Sequence, residues 1–310
     1  MQFLSTFHRF FVILTQKMKK NLSILIPTYC SDPRPLVSEL LSQAQHADGL
    51  DDFEIMVIDD ASPNASTVEP LWEISQWPHC RFMALESNLG RARIRNLLAS
   101  LARHEWLLFL DCDMTIERPQ FLQDYIDADD AYDVVDGGVS IGAGKSSNLR
   151  WKYETDSAPE HTLEHRQQSP YQHFHTANFM VRRSVMKAYP FDQRFLHYGY
   201  EDVLFGKQLR QAGVGILHID NPAGFNTFED NARFLSKTEE SLRTLYEFRD
   251  ELRGYSRLLT FVEGIHLSPV RWLIRLAYLM ARPLLRRNLI GGTPSLTAFR
   301  FYKIGYYLNL

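Results

Sequence analysis

The chain has 310 residues, 45% of them apolar and 23% charged, with a formal net charge of -3 at neutral pH. These values suit one large α/β domain with an appendage, or two small domains, and they exclude wholesale disorder. The near-balanced charge gives no reason to expect nucleic acid as a partner.

The opening stretch MQFLSTFHRFFVILTQ holds a short apolar run without a small-residue cleavage site, which argues against a signal peptide. Met18-Lys19-Lys20 makes a natural start, so residues 1–17 read as either a misassigned extension or a small packing helix. Residues 22–27 (LSILIP) form a continuous apolar run and predict a strand buried on both faces. After a turn at Ser31-Asp32-Pro33, residues 35–46 set Leu36, Leu40, Leu41 and Ala44 at helical spacing. Residues 53–58 predict a second strand closing on Asp59-Asp60, and residues 81–85 a third. A helix over 91–103 carries Ile94, Leu97, Leu98 and Leu101 on one stripe. Residues 106–110 (WLLFL) are a fourth buried strand, ending on Asp111-Cys112-Asp113.

This alternation predicts a doubly wound, mainly parallel, Rossmann-like α/β sheet. Ligands bind such sheets at the carboxyl ends of their strands. Pro27-Thr28-Tyr29, Asp59-Asp60 and Asp111-Cys112-Asp113 all fall there. Residues 140–177, rich in Gly, Ser, His and charge, read as a long loop over the sheet. Further on, the pattern predicts strands at 178–181 and 215–219 and helices at 202–212, 230–253 and 269–290, the last kinked by Pro283. From Gly264 to Leu310 there is no acidic residue, while Arg271, Arg275, Arg282, Arg286, Arg287, Arg300 and Lys303 are basic. The expected organisation is an extension (1–19), a main domain (20–228, with halves 20–115 and 116–228) and a C-terminal helical, basic extension (229–310).

Side chains two apart on an extended segment point the same way, so Asp111 and Asp113 can converge on one site while Cys112 faces elsewhere. Two such carboxylates suit a hard divalent cation with open positions for phosphate oxygens; a turn-forming Asp pair is the plainer reading. The helix that opens at Asn88-Leu89-Gly90 has Arg91, Arg93 and Arg95 in its first turns, against the helix dipole. A phosphate partner explains them, as does a solvated basic face. Glu201-Asp202 opens a helix, as capping carboxylates or as a general base for an acceptor hydroxyl. The histidines at 161, 165, 173 and 175, without cysteine partners, do not argue for zinc and are read with Trp151 and Tyr153 as an acceptor loop. The tail helix, with Leu273, Leu276, Leu279 and Met280 among arginines, suits either an anionic membrane surface or ordinary packing.

In order, SILIPTYC, FEIMVIDDAS, NLGRARIRN, WLLFLDCDM, NFMVRRS and FDQRFLHYGYEDVLFGKQLRQAG resemble the family 2 inverting glycosyltransferases of the GT-A fold, within the nucleotide-diphospho-sugar transferase superfamily. The resemblance covers about residues 20–225. It implies that Pro27, Tyr29, Asp59 and Asp60 line a nucleoside pocket and that Gly90, Arg91 and Arg95 lie near base and diphosphate. It also implies that Asp113 binds Mn2+ or Mg2+ with Asp111 supporting it or contacting the ribose, and that Asp202 is the catalytic base with Glu201 holding an acceptor hydroxyl. The expected reaction moves a sugar from a nucleotide-sugar, UDP by family habit, to a glycan or lipid-linked acceptor, in surface polysaccharide or glycolipid synthesis. The expected place is the cytoplasm or, through residues 266–310, the inner face of the cell membrane. One departure stands out: where relatives often add a metal-binding histidine, this chain has Phe225, leaving His218 or Asn226 as substitutes. A silent sugar-nucleotide- or glycan-binding protein and a nucleotidyltransferase are the competing readings. The second lacks a glycine-rich phosphate loop.

Overall fold

The computed structural model describes residues 21–310, so residues 1–19 lie outside the described residues. Seven strands form the main sheet: β1 (Asn21–Thr28), β2 (Asp52–Asp59), β3 (Cys80–Ala84), β4 (Trp106–Leu110), β6 (Val134–Asp136), β8 (Asn178–Arg182) and β9 (Ile216–His218). Their order is β3-β2-β1-β4-β8-β6-β9. The first four run parallel, β8 runs antiparallel to both β4 and β6, and β9 is parallel to β6. A small second sheet holds β5 (Met114–Thr115), β10 (Ala223–Phe225) and β7 (Val139–Ile141) in the order β5-β10-β7.

The apolar runs explain this arrangement. Every residue of β4 is buried, as is every residue of β2 after Asp52, because helices cover both faces. One face packs under α1 (Arg34–Ala44) and α3 (Phe121–Ile126), the other under α2 (Arg91–Leu101), α6 (Arg183–Ala188) and α7 (Glu201–Gln211), numbered with α4 (Leu149–Ser157) and α5 (Leu163–Gln168) between them. The chain steps outward from β1 through β2 to β3, then returns to β4 on the other side of β1. That reversal opens a crevice at the carboxyl ends of β1 and β4, where Pro27-Thr28-Tyr29 and Asp111-Cys112-Asp113 sit.

Residues 140–177 differ from the predicted long loop. They contain β7, α4 and α5, besides a helical turn at Ala158–His161. The reason is the surface that α4 faces: Leu149 and Tyr153 pack on Phe234 and Phe299 of the C-terminal helices and leave no repeating stripe. Those helices are α8 (Asn231–Glu247), α9 (Arg257–Gly264), α10 (Ser268–Ile290) and α11 (Leu296–Leu308). Leu242, Leu245, Phe248, Leu259 and Tyr307 join the cluster that backs the main sheet, so this segment shares its core. Helix α10 runs through Pro283 as one element. Among the described residues no helix is long and apolar enough to cross a membrane.

Candidate active site

The loop before α2 sets the site. Asp60, just past β2, accepts the N–H of Leu89 at 2.7 Å and of Gly90 at 3.0 Å, while Asn88 Nδ2 donates to the Asp60 carbonyl at 2.8 Å. Gly90 takes φ +80°, where a side chain would be strained, and a Cβ there would meet the Leu196 carbonyl oxygen at 3.2 Å. This clamp aims the first turns of α2 at the end of β4.

Arg91 and Arg95, four residues apart on one helix face, meet two acids that come from distant parts of the chain. Arg95 is 1% exposed; its Nη2 lies 2.6 Å from Asp111 Oδ1 and its Nη1 3.5 Å from Glu201 Oε1. Arg91 lies 3.6 Å from Asp111 and 3.7 Å from Glu201, with its guanidinium 4.9 Å over the Tyr198 ring. The sequence-predicted Arg91, Arg95, Asp111 and Glu201 are therefore in one cluster. Burial opposes ionisation of Asp111, but Arg95 and Arg91 outweigh it and hold the carboxyl below its ordinary value.

Helix α7 enters the cluster through a left-handed turn, Gly199 at φ +100° and Tyr200 at φ +68°. Glu201 is buried, and its burial and the neighbouring Asp202 push its carboxyl up against the pull of Arg91 and Arg95. Asp202 accepts the N–H of Val203 at 2.8 Å, and burial raises its carboxyl too. A raised, half-buried carboxyl at a helix start is suited to accept a proton. Asp113 makes no ion pair among the described residues, and burial with the nearby Asp111 charge pushes it up.

The other sequence-predicted residues are placed as follows. Pro27 is half-buried at the end of β1 and Tyr29 stands exposed beyond it. Asp59 binds Ser62, whose N–H donates at 2.8 Å and hydroxyl at 2.5 Å. Both carboxyls of the Asp59-Asp60 pair thus already hold their own loops, so a nucleobase would be an additional partner for either.

His218 is not with the aspartates. Its Nδ1 is 3.2 Å from Arg166 Nη1 and its Nε2 2.9 Å from the Pro170 carbonyl, so both ring nitrogens are engaged in a separate buried group. There Arg166 pairs with Asp136 at 3.0 Å; burial pushes Asp136 up to about 6, against Arg166, and His218 down to about 4. Among the described residues no three His, Cys, Asp or Glu side chains are placed to hold a metal ion. His161 and His175 bond to each other at 3.1 Å, and burial pushes both down to about 4. Asn226 Nδ2 donates to Thr115 Oγ1 at 2.5 Å.

Sequence reasoning missed Arg150, Tyr198, Glu229 and Lys237, which border this cluster. Arg150 donates to Glu229 at 2.8 Å, Lys237 lies 3.0 Å from the same carboxylate, and Arg150 lies 4.5 Å over the Phe225 ring. Only Tyr198, three residues before Glu201, carried a signal, as an aromatic in the turn that starts α7.

The chain matches the profile of Glycosyl transferase family 2 over residues 23–189, more than half its length. An uncharacterized glycosyltransferase of Haemophilus influenzae is 32% identical over 93 residues, 30% of this chain and 29% of that protein, so the match spans under a third of the relative. The mannosyltransferase PcManGT from Pyrobaculum calidifontis, solved with GDP-Man and Mn2+, superposes with a TM-score of 0.55 at 14% identity, over 99% of this chain and 92% of that one. TarS 1-349 of S. aureus, solved with UDP-GlcNAc, gives a TM-score of 0.49 at 19% identity over 93% and 89%. The mannosyltransferase likeness is one of fold, GT-A, with a mainly parallel sheet and C-terminal helices. With the profile match spanning β1 through α6, the chain belongs to glycosyl transferase family 2.

Proposed function

We propose that the chain transfers a sugar from a nucleotide-diphospho-sugar, a UDP-sugar in the first instance, to an acceptor hydroxyl with inversion. The observation that carries this reading is the shared arginine pair. Arg91 and Arg95 join Asp111, at the end of β4, to Glu201, the residue before Asp202 at the start of α7. In the displacement the acceptor oxygen attacks the anomeric carbon and its proton passes to Asp202. The bond to the diphosphate oxygen breaks, and its electron pair leaves with the diphosphate. One base and one leaving-group stabiliser suffice, unlike the two flanking carboxyls of a glycosidase. Glu201, bound by both arginines, acts here as a positioning residue for the α7 start.

The charge count accommodates a divalent cation. Among the described residues Arg91 and Arg95 pair with Asp111 and Glu201, while Asp113 and Asp202 make no ion pair. Asp113 would hold Mn2+ or Mg2+, with Asp111 supporting it and substrate oxygens and water completing the shell. When bound, the metal would stabilise the negative charge of the leaving diphosphate. His218 has no part in this shell.

Replacing Asp202 with Asn tests the reading. The expected result is a fall in transfer of about 10²–10⁴-fold, the usual contribution of a positioned base, with UDP-sugar binding kept. Unchanged transfer would refute the assignment. A parent that turns over no donor would favour the silent binding protein.

The acceptor is read as a glycan or lipid-linked sugar, with α10 as the membrane contact. Trp272, Leu273, Met280 and Leu284 are 63%, 60%, 74% and 71% exposed on its outer side. The basic tail divides: Arg286 pairs with Glu239 and Arg300 with Asp156, whereas Arg275 and Arg287 make no ion pair among the described residues. An apolar ridge edged by such arginines suits an anionic bilayer surface.

A further inference from the structure

Arg150 sits where a cation is costly, in the first turn of α4 and only 15% exposed. Four side chains hold it. Nη1 donates to both Glu229 oxygens, at 2.8 and 2.9 Å, and Nε lies 3.3 Å from Glu154. The guanidinium plane rests over Phe225 at 4.5 Å and near Phe234 at 5.6 Å. Nη2 takes part in neither ion pair.

Phe225 places this cation. In the β10–β5 ladder Phe225 pairs with Met114, the residue directly after Asp113. Arg150 therefore stands one strand away from the aspartates, and its charge is felt by both Asp111 and Asp113. Lys237 and Arg91 approach the Tyr198 ring, at 5.6 and 4.9 Å, so further positive charge borders the same opening. Glu229 and Glu154 offset Arg150 without closing it off, and an aromatic platform keeps a guanidinium oriented at low entropic cost.

We infer that Arg150, seated on Phe225, is a direct ligand of the donor's diphosphate, so that the donor retains affinity when divalent metal is removed. A planar guanidinium matches phosphate oxygens through paired N–H donors. The inference rests on the transferase reading above, since it supposes a diphosphate in this crevice.

The test is calorimetric binding of UDP and of inorganic pyrophosphate to the full chain, in EDTA and in Mn2+, with melting curves alongside. The parent is expected to bind both ligands in EDTA. Arg150→Gln should weaken that binding at least tenfold, Arg150→Lys by less, and Phe225→Leu by a few-fold through loss of the platform. Should Arg150→Gln fail to fold, Phe225→Leu, which leaves the Arg150–Glu229 pair intact, carries the comparison. Parent-like binding in EDTA by a folded Arg150→Gln variant overturns the inference. So does a parent that binds UDP only with Mn2+, an outcome that leaves the transferase reading standing. No UDP binding in either condition removes both.

Discussion

Arg95→Met is the sharpest perturbation of the arginine pair. Methionine fills much of the same space but removes the charge between Asp111 and Glu201, at 2.6 and 3.5 Å. Breaking a buried ion pair by deleting one partner costs about 3–5 kcal/mol. Arg91, 3.6 and 3.7 Å from the same two acids and 45% exposed, keeps part of the compensation, so the lower end, about 3 kcal/mol, is expected. At about 2 °C per kcal/mol for a chain of this size, the melting temperature should fall by about 6 °C. The pH dependence is diagnostic. Asp111 is held below its ordinary value in the folded protein, so its stabilisation is present above the unfolded value and is lost as pH falls through the folded one. Without Arg95 that depression shrinks, and Glu201, already raised by burial, rises further. The gap between parent and variant should therefore be widest at pH 8 and narrower at pH 5, as the further-raised Glu201 of the variant accepts a proton, whereas the Asp111 contribution is lost only at lower pH. Urea unfolding at the two pH values measures it. An equal gap at both, or one below about 1 kcal/mol, refutes this account of the cluster.

Asp60→Ala removes the acceptor for the Leu89 and Gly90 N–H groups, so it should cost about 1–3 kcal/mol and weaken donor binding through misplaced Arg91, read by urea melts and UDP titration. Gly90→Ala should cost about 1–3 kcal/mol, because φ +80° with ψ 165° is a backbone region open essentially to glycine alone, measurable by thermal unfolding. Gly137→Ala should be worse, since a Cβ there would fall 2.4 Å from the Tyr125 hydroxyl and 2.5 Å from the Asn221 carbonyl; little soluble protein is expected on expression. Replacing Leu273, Met280 and Leu284 together with Ser should abolish sedimentation with anionic vesicles and leave the melting temperature within a few degrees, because all three are exposed.

Strand β4 is legible to the residue because both of its faces are buried, which writes an unbroken apolar run into the chain. The aspartates that follow are equally plain, and the helix starts at Gly90 and Tyr200 follow from the residues around them. What the sequence hides is pairing at a distance. Arg166 and Asp136 are 30 residues apart, and no local pattern announces that they bind each other or that they occupy His218. Helix α4 is hidden for a related reason: its packing partner is the C-terminal segment, so Leu149 and Tyr153 alone carry its face. Phe225 looks like a loss of function in one dimension. In three it is the seat of Arg150.

The double bridge of Arg91 and Arg95 also bears on how this chain can change over time. Asp111 and Glu201 share two cations, so altering either acid leaves positive charge stranded on α2 and burdens the other. The four positions should therefore drift together or not at all. Neutral variation should collect around this square of charges rather than within it.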